Sequence, residues 1–85
     1  PIIYKSDTQG MDEEIILALK EKFFEKIEIL IIEINNNKMI LNNMKKFNNI
    51  TKYYSKFYFH NKIISKQNLF DKIKSRNEFD LIMIK

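Results

Sequence analysis

Apolar side chains and lysines alternate in the segment 47–76, and the first part of this segment follows a helical period. Apolar residues recur there at spacings of three, four, three and seven positions, which places them on one stripe of an α-helix. The stripe consists of Phe47, Ile50, Tyr54, Phe57 and Ile64. The opposite side collects Lys52, Lys56, Lys62 and Lys66. With Asn48 or Asn49 as an N-cap, the pattern predicts a long helix with a core face and a basic face.

A β-hairpin is the competing interpretation of residues 57–64. Residues 57–59 and 62–64 would be its strands, and His60 and Asn61 would form a two-residue turn. Such turns favour glycine, which is missing here, and this absence favours the helix. Phe59 and Ile63 distinguish the two alternatives, because a single helix leaves both of them near the lysine face.

The rest of the chain alternates between strand-like and helical patterns. Residues 2–5 are a short apolar segment that predicts a first strand, and residues 11–26 predict a helix with acidic side chains in its first turn. Residues 27–34 and 38–41 are apolar runs separated by three asparagines, which predicts a hairpin. Residues 79–84 are strongly apolar, as is typical of a buried final strand.

The order strand, helix, strand, strand, helix, strand predicts an α+β fold. We expect a two-layer sandwich in which two helices pack on one face of a small, mainly antiparallel sheet. A length of 85 residues, 45% of them hydrophobic, predicts one domain over residues 1–85 with a single core. Such a chain is too small for a deep catalytic cleft between lobes.

Cysteine usage and hydropathy limit the classes of function. The chain has no cysteine, which excludes disulfides, thiol catalysis and Cys-ligated zinc. Its longest apolar run is interrupted by Glu28 and Glu33 and is far shorter than the roughly 20 residues that cross a bilayer. No signal-peptide pattern is present. We therefore expect a protein of the cytosol or nucleus with no membrane partner.

Charge is distributed unevenly along the chain. The net charge is +4, but residues 1–42 sum to −3 and residues 43–85 sum to +7. Between Glu33 and Asp71 there are seven lysines and no acid. A genome rich in A would raise lysine everywhere, yet it would not remove acids from one half. The distribution therefore favours a face that binds a polyanion.

Three segments in the second half carry a family resemblance. A Lys- and Tyr-rich segment, KYYSKFYFHNKIISKQ, leads into NLFDKIK at residues 68–74 and NEFDL at residues 77–81. In this order they resemble the eukaryote-specific large-subunit ribosomal protein family twenty-two, in which a long basic helix precedes a Leu-x-Asp turn and a final strand. The chain departs from the family in lacking its glycine-rich loop and its acidic tail, and in having Lys72 where the family has Trp.

The resemblance implies a structural constituent of the large ribosomal subunit. It would bind rRNA phosphates through the lysine-rich helix and contact neighbouring ribosomal proteins. The ribosome would place it in the cytoplasm, and its assembly could take place in the nucleus or nucleolus. Such contacts fix position and read little sequence. The implied RNA-binding residues are Lys45, Lys46, Lys52, Lys56, Lys62, Lys66, Lys72, Lys74 and Arg76. Tyr53, Tyr58 and His60 are candidates for stacking on bases or bonding phosphates. No cofactor, metal or small-molecule substrate is expected.

A second resemblance leads to a different class of function. Residues 55–64, 68–74 and 78–85 resemble the second half of the ubiquitin fold, with its hairpin, Leu-x-Asp turn and final strand. No Gly-Gly ends the chain, so this alternative predicts a protein-interaction module that is not conjugated to other proteins. A continuous helix across residues 57–64 favours the ribosomal alternative, and a hairpin favours the ubiquitin-like one.

Catalysis is the least supported class. The chain has one histidine, no cysteine, and neither a paired-carboxylate nor a phosphate-loop motif. The start of the chain, Pro1 followed by a predicted strand, resembles that of tautomerases that use a terminal proline amine as a base. The first helix of this chain and its basic residues do not match those of the tautomerases well. The sequence therefore predicts that the protein is not an enzyme.

Overall fold

A computed structural model describes residues 2–6 and 12–85. Within them the chain forms ten elements in the order β1 (Ile2–Lys5), α1 (Asp12–Ala18), α2 (Glu21–Glu25), β2 (Ile27–Ile34), α3 (Asn37–Leu41), α4 (Met44–Thr51), β3 (Lys56–Phe59), β4 (Lys62–Ile64), α5 (Lys66–Ser75) and β5 (Phe79–Ile84). The turn predicted to close on Gly10, and Pro1 itself, lie outside the described residues.

The five strands form one mixed sheet in the order β1-β2-β5-β3-β4. β1 and β2 are parallel, whereas β2 with β5, β5 with β3, and β3 with β4 are antiparallel. The protein is thus a small α+β domain, as the sequence predicted at that level. The predicted element order with two helices is wrong, because five short helices occur in the described residues.

Alternating positions of the central strands build the core. Along β2 the inward positions are Leu30, Ile32 and Ile34, and β5 contributes Phe79, Leu81 and Met83 in the same way. Every second side chain of a strand points to the same side of a sheet. These side chains form one cluster with the buried residues of the five helices. The opposite side of the sheet carries half-buried or exposed side chains.

The long helix predicted from residue 48 onward is wrong beyond Thr51, where α4 ends. Residues 56–64 form the β3–β4 hairpin instead. His60 and Asn61 both have positive φ, 49° and 65°, so this turn forms without glycine. Phe57 and Phe59 are two positions apart, so a strand directs both side chains to the same side of the sheet. Both are buried in the core beside β5, and this burial favours the hairpin.

Two predictions in the first half also need correction. The hairpin predicted across the three asparagines is absent, because residues 38–41 belong to α3. The Asn36 side chain accepts a hydrogen bond from the Lys38 N–H at 3.0 Å and caps that helix. The single helix predicted over residues 11–26 is divided into α1 and α2, with Lys20 in an extended conformation before α2.

Candidate nucleic-acid interface

A small cavity of about 190 Å³ lies between the β3–β4 hairpin and α5, and we refer to it as the hairpin pocket. Its lining residues are Phe59, His60, Lys62, Ile64, Lys72 and Arg76. Three of them, Lys62, Lys72 and Arg76, belong to the basic set that the sequence nominated. The fold brings them together although they lie on a strand, on a helix and after that helix.

Helix α5 positions Lys72 and Arg76 in the hairpin pocket. The helix begins with the Ser65 hydroxyl accepting a hydrogen bond from the Asn68 N–H at 3.1 Å, which caps it. Leu69 and Ile73 are fully buried and hold one side of the helix against the core. Lys72, one residue before Ile73, is exposed, and the chain leaves the helix in an extended conformation at Arg76.

The hairpin positions Lys62 and His60. Lys62 is the cross-strand partner of Phe59. The His60 N–H donates a hydrogen bond to the Asp80 carbonyl oxygen at 3.1 Å, and the His60 ring packs edge-on against Phe59 with centroids 5.0 Å apart. Phe59 in turn stacks on Phe79 at 4.9 Å. The turn is therefore fixed to the core by both its backbone and its aromatic rings.

The His60 ring, beside the hairpin pocket, carries a polar atom, Nε2, that has no hydrogen-bond partner among the described residues. This nitrogen is buried. A buried polar group without a partner costs roughly 1–3 kcal/mol.

The charge and size of the hairpin pocket suit a phosphate group. Among the described residues, its lining contains two lysines and one arginine and no acidic side chain. Hydrogen bonds from such cations to phosphate oxygens are charge-assisted and strong. A volume of about 190 Å³ is large enough for a phosphate group.

A second basic surface lies on α4 and is more mixed in charge. Lys45 and Lys46 line a depression of about 360 Å³ together with Glu21 and Asn49. The Asn49 side-chain N–H donates a hydrogen bond to Glu21 Oε1 at 3.1 Å, so the acid is held beside the lysines. Glu21 weakens this surface as an anion site because its negative charge opposes that of a phosphate.

The remaining predicted cations do not line the hairpin pocket. Lys52 follows α4 and its Nζ donates to Asn49 Oδ1 at 3.3 Å. Lys56 begins β3 opposite Ile84, on the side of the sheet away from the core. Lys66 and Lys74 lie at the first and second-to-last positions of α5. The single basic face predicted for Lys52, Lys56, Lys62 and Lys66 is therefore wrong, because no continuous helix joins them.

Two tyrosines with proposed RNA contacts lie away from the hairpin pocket. Tyr58 is half-buried on the side of the sheet opposite the core, as the partner of Ile63 and Ile82. The pKa of Tyr53 is raised, first by desolvation and then by the negative charges of Glu25 and Glu21. Those acids make the surroundings of Tyr53 unfavourable for a phosphate. The His60–Asn61 turn was the signal in the sequence for the hairpin, although it did not indicate that the hairpin lies against α5.

Other kinds of site receive no support from the described residues. No three His, Asp or Glu side chains among them are grouped to hold a metal ion, and none of their helices is long and apolar enough to cross a membrane. Comparison with other proteins does not add an assignment: no family model, no curated protein and no solved structure matches the chain.

Proposed function

We propose that this protein binds the phosphate backbone of structured RNA as a non-catalytic component of a ribonucleoprotein particle. The observation that carries the proposal is the hairpin pocket, where Lys62, Lys72 and Arg76 line one cavity and no acid of the described residues lines it. Such a site fixes a phosphate and reads little base sequence. The large ribosomal subunit in the cytoplasm is the particle that the resemblance of NLFDKIK and NEFDL suggests.

The proposed mode of binding differs from the one implied by the family. A long basic helix would present lysines in a row along an RNA groove. Here the cations come from β4, α5 and the residue after α5, so they surround a point instead of lining a groove. Lys45 and Lys46 on α4 would contact a second stretch of backbone.

RNA binding by matched charge-reversal variants tests the proposal. The first variant is Lys62→Glu/Lys72→Glu/Arg76→Glu, and the control is Lys20→Glu/Lys22→Glu/Lys26→Glu, which changes the net charge by the same amount. Fluorescence anisotropy with a labelled RNA hairpin should show that the pocket variant binds at least about tenfold more weakly than wild type, because three phosphate contacts are lost. The control should stay within about threefold, as expected for long-range charge alone.

Equal weakening in both variants would contradict the hairpin pocket as the RNA site. Circular dichroism of both variants would confirm that the fold is retained. A wild-type chain that does not bind structured RNA at low salt would contradict the proposed function as a whole.

One observation favours a second candidate, the ubiquitin-like protein-interaction module. Residues 57–64 lie in a hairpin whose first strand pairs with β5, the feature that distinguishes this alternative from a long helix. Co-sedimentation with large ribosomal subunits separates the candidates. A ribosomal component sediments with the subunit, and its Lys62→Glu/Lys72→Glu/Arg76→Glu variant does not. A wild-type chain that stays at the top of the gradient and binds no RNA favours the interaction module.

A further inference from the structure

The outer edge of β1 carries two exposed apolar side chains. β1 ends the strand order and pairs with β2 alone. Ile2 and Ile3 are 52% and 58% exposed. Edge strands with exposed apolar side chains readily accept another strand, since their outward N–H and C=O groups have no partner in the sheet. In the described part of the chain, no further strand covers this edge.

A groove of about 570 Å³ runs beside the same strand, and we refer to it as the β1 groove. Its apolar lining consists of Ile2, Tyr4, Phe23 and Ile27. Tyr4 and Phe23 pack edge-to-face with centroids 5.4 Å apart, so two aromatic rings form part of its wall. A volume between roughly 300 and 1,000 Å³ with an apolar lining is typical of sites that bury a ligand.

The rim of the β1 groove is charged. Lys22 and Lys26 lie on it, with Glu25 between them in sequence. Both lysines are exposed, as is Glu25. These three side chains give the lining a net charge of +1 beside its apolar walls, which is complementary to acidic residues that flank an apolar one.

We propose that β1 and the β1 groove bind an extended peptide segment of a partner protein. The peptide adds a strand to the edge of β1, places an apolar side chain between Ile2 and Phe23, and directs flanking acidic residues to Lys22 and Lys26. An extended segment suits the site because only a strand satisfies the backbone groups of the edge. A second copy of the chain suits it less, because pairing two β1 edges would bring the lysines of both copies together.

The inference goes beyond RNA binding and does not depend on it. β1 and β4 lie at opposite ends of the sheet, and the hairpin pocket is beside β4. A peptide on β1 and a phosphate in the hairpin pocket can therefore be bound at the same time. In a ribonucleoprotein particle, the domain would join an RNA to a protein neighbour.

The test uses a labelled peptide, Asp-Glu-Val-Ile-Val-Leu-Glu-Asp, and fluorescence anisotropy. Wild type should bind it, and Ile2→Asp should weaken binding by about tenfold or more, because the substitution puts a charge at the contact. Ile63→Asp is the matched control, since Ile63 is 66% exposed on the edge strand β4. This variant should bind as wild type does. Equal binding by both variants would overturn the proposal.

Charge exchange tests the rim independently of the folding of β1. Lys22→Glu/Lys26→Glu should lose affinity for the acidic peptide and gain it for a peptide whose acidic residues are replaced by lysine. A peptide with proline at its central position should bind about tenfold more weakly, because proline lacks the N–H that a strand donates. Amide shifts in NMR spectra should be confined to residues 2–5 and 20–27. Shifts confined to other elements, or a peptide-independent dimer, would contradict the inference, whereas loss of RNA binding alone would not affect it.

Discussion

Tyr54 shows how one side chain can be placed correctly by a pattern and still carry an energetic cost. Its position on the apolar stripe predicted a core residue, and it is 6% exposed. Its hydroxyl is buried and makes no hydrogen bond with a described residue. Burial first, and the negative charge of Glu28 second, raise the pKa of Tyr54 from 10.0 to about 12. The aromatic ring therefore stabilises the core while the hydroxyl opposes folding.

Replacing Tyr54 with phenylalanine should stabilise the protein by about 1 kcal/mol at pH 7, because the ring remains and an unsatisfied buried hydroxyl is removed. Urea denaturation gives the free energy of unfolding. Tyr58→Phe is the control, since Tyr58 is half-buried on the side of the sheet away from the core, and little change is expected. A loss of stability in Tyr54→Phe would show that the hydroxyl makes a favourable contact.

Tyr54 should also make the free energy of unfolding vary with pH in the alkaline range. The pKa of Tyr54 is higher in the folded state, so the folded state retains the proton after the unfolded state has lost it. Ionisation of Tyr54 therefore does not reduce the free energy of unfolding below pH 10, and it lowers this free energy as the pH rises from 10 to about 12. Unfolding measurements between these values should show a steeper decline for wild type than for Tyr54→Phe. Parallel declines would contradict the assignment.

At the scale of elements, the sequence predicted most apolar runs correctly and their conformation less well. Phe47, Ile50 and Tyr54 follow a helical spacing through α4 and its end, and Phe57 continues it by chance from β3. A spacing of three residues therefore did not reveal the change from helix to strand. The decisive interaction is the pairing of β3 with β5, which is more than 20 residues away and has no local signal. Segment 38–41 shows the converse, since Asn36 caps a helix where apolar content suggested a strand.

The hairpin turn gives a prediction for this level. Asn61 has a φ of 65°, a region that glycine adopts freely and that costs a β-branched residue roughly 1–2 kcal/mol. Asn61→Gly should therefore leave stability unchanged or raise it by up to about 1 kcal/mol. Asn61→Val should lower it by about 1–2 kcal/mol. Chemical denaturation measures both effects.

Asn42 provides the matched control for this turn. It is an exposed asparagine that ends α3 with a φ of −74°, which every residue adopts easily. Asn42→Gly should destabilise by about 0.5–1 kcal/mol, because glycine loses more freedom on folding. Asn42→Gly should thus lower the free energy of unfolding, whereas Asn61→Gly should not. If both were destabilising, the left-handed turn at His60 and Asn61 would be contradicted.

At the scale of the whole molecule, the fold divides the basic residues of the second half between the hairpin pocket and positions outside it. Lys62, Lys72 and Arg76 are among the RNA-binding residues that the family resemblance implies, and the fold brings these three to one cavity. Their convergence was not predictable, because it requires the hairpin to fold back toward α5. Lys52, Lys56 and Lys66 were predicted to share one basic face with Lys62, yet the fold places them outside the hairpin pocket.

This separation predicts how salt should affect RNA binding. For a protein that neutralises Z phosphates, the logarithm of the binding constant falls with the logarithm of salt concentration with a slope of about −0.7Z to −0.9Z. If each cation of the hairpin pocket neutralises one phosphate, Lys62→Gln/Lys72→Gln/Arg76→Gln should make the slope shallower by about 2–3. Lys52→Gln/Lys56→Gln/Lys66→Gln removes the same charge from positions outside the hairpin pocket, and should change the slope by less than about 1.

Anisotropy titrations between 50 and 200 mM salt, about the range over which such contacts are lost, measure both slopes. Equal changes would mean that RNA responds to the total charge of the domain, and the convergence of cations around His60 would then have no part in binding.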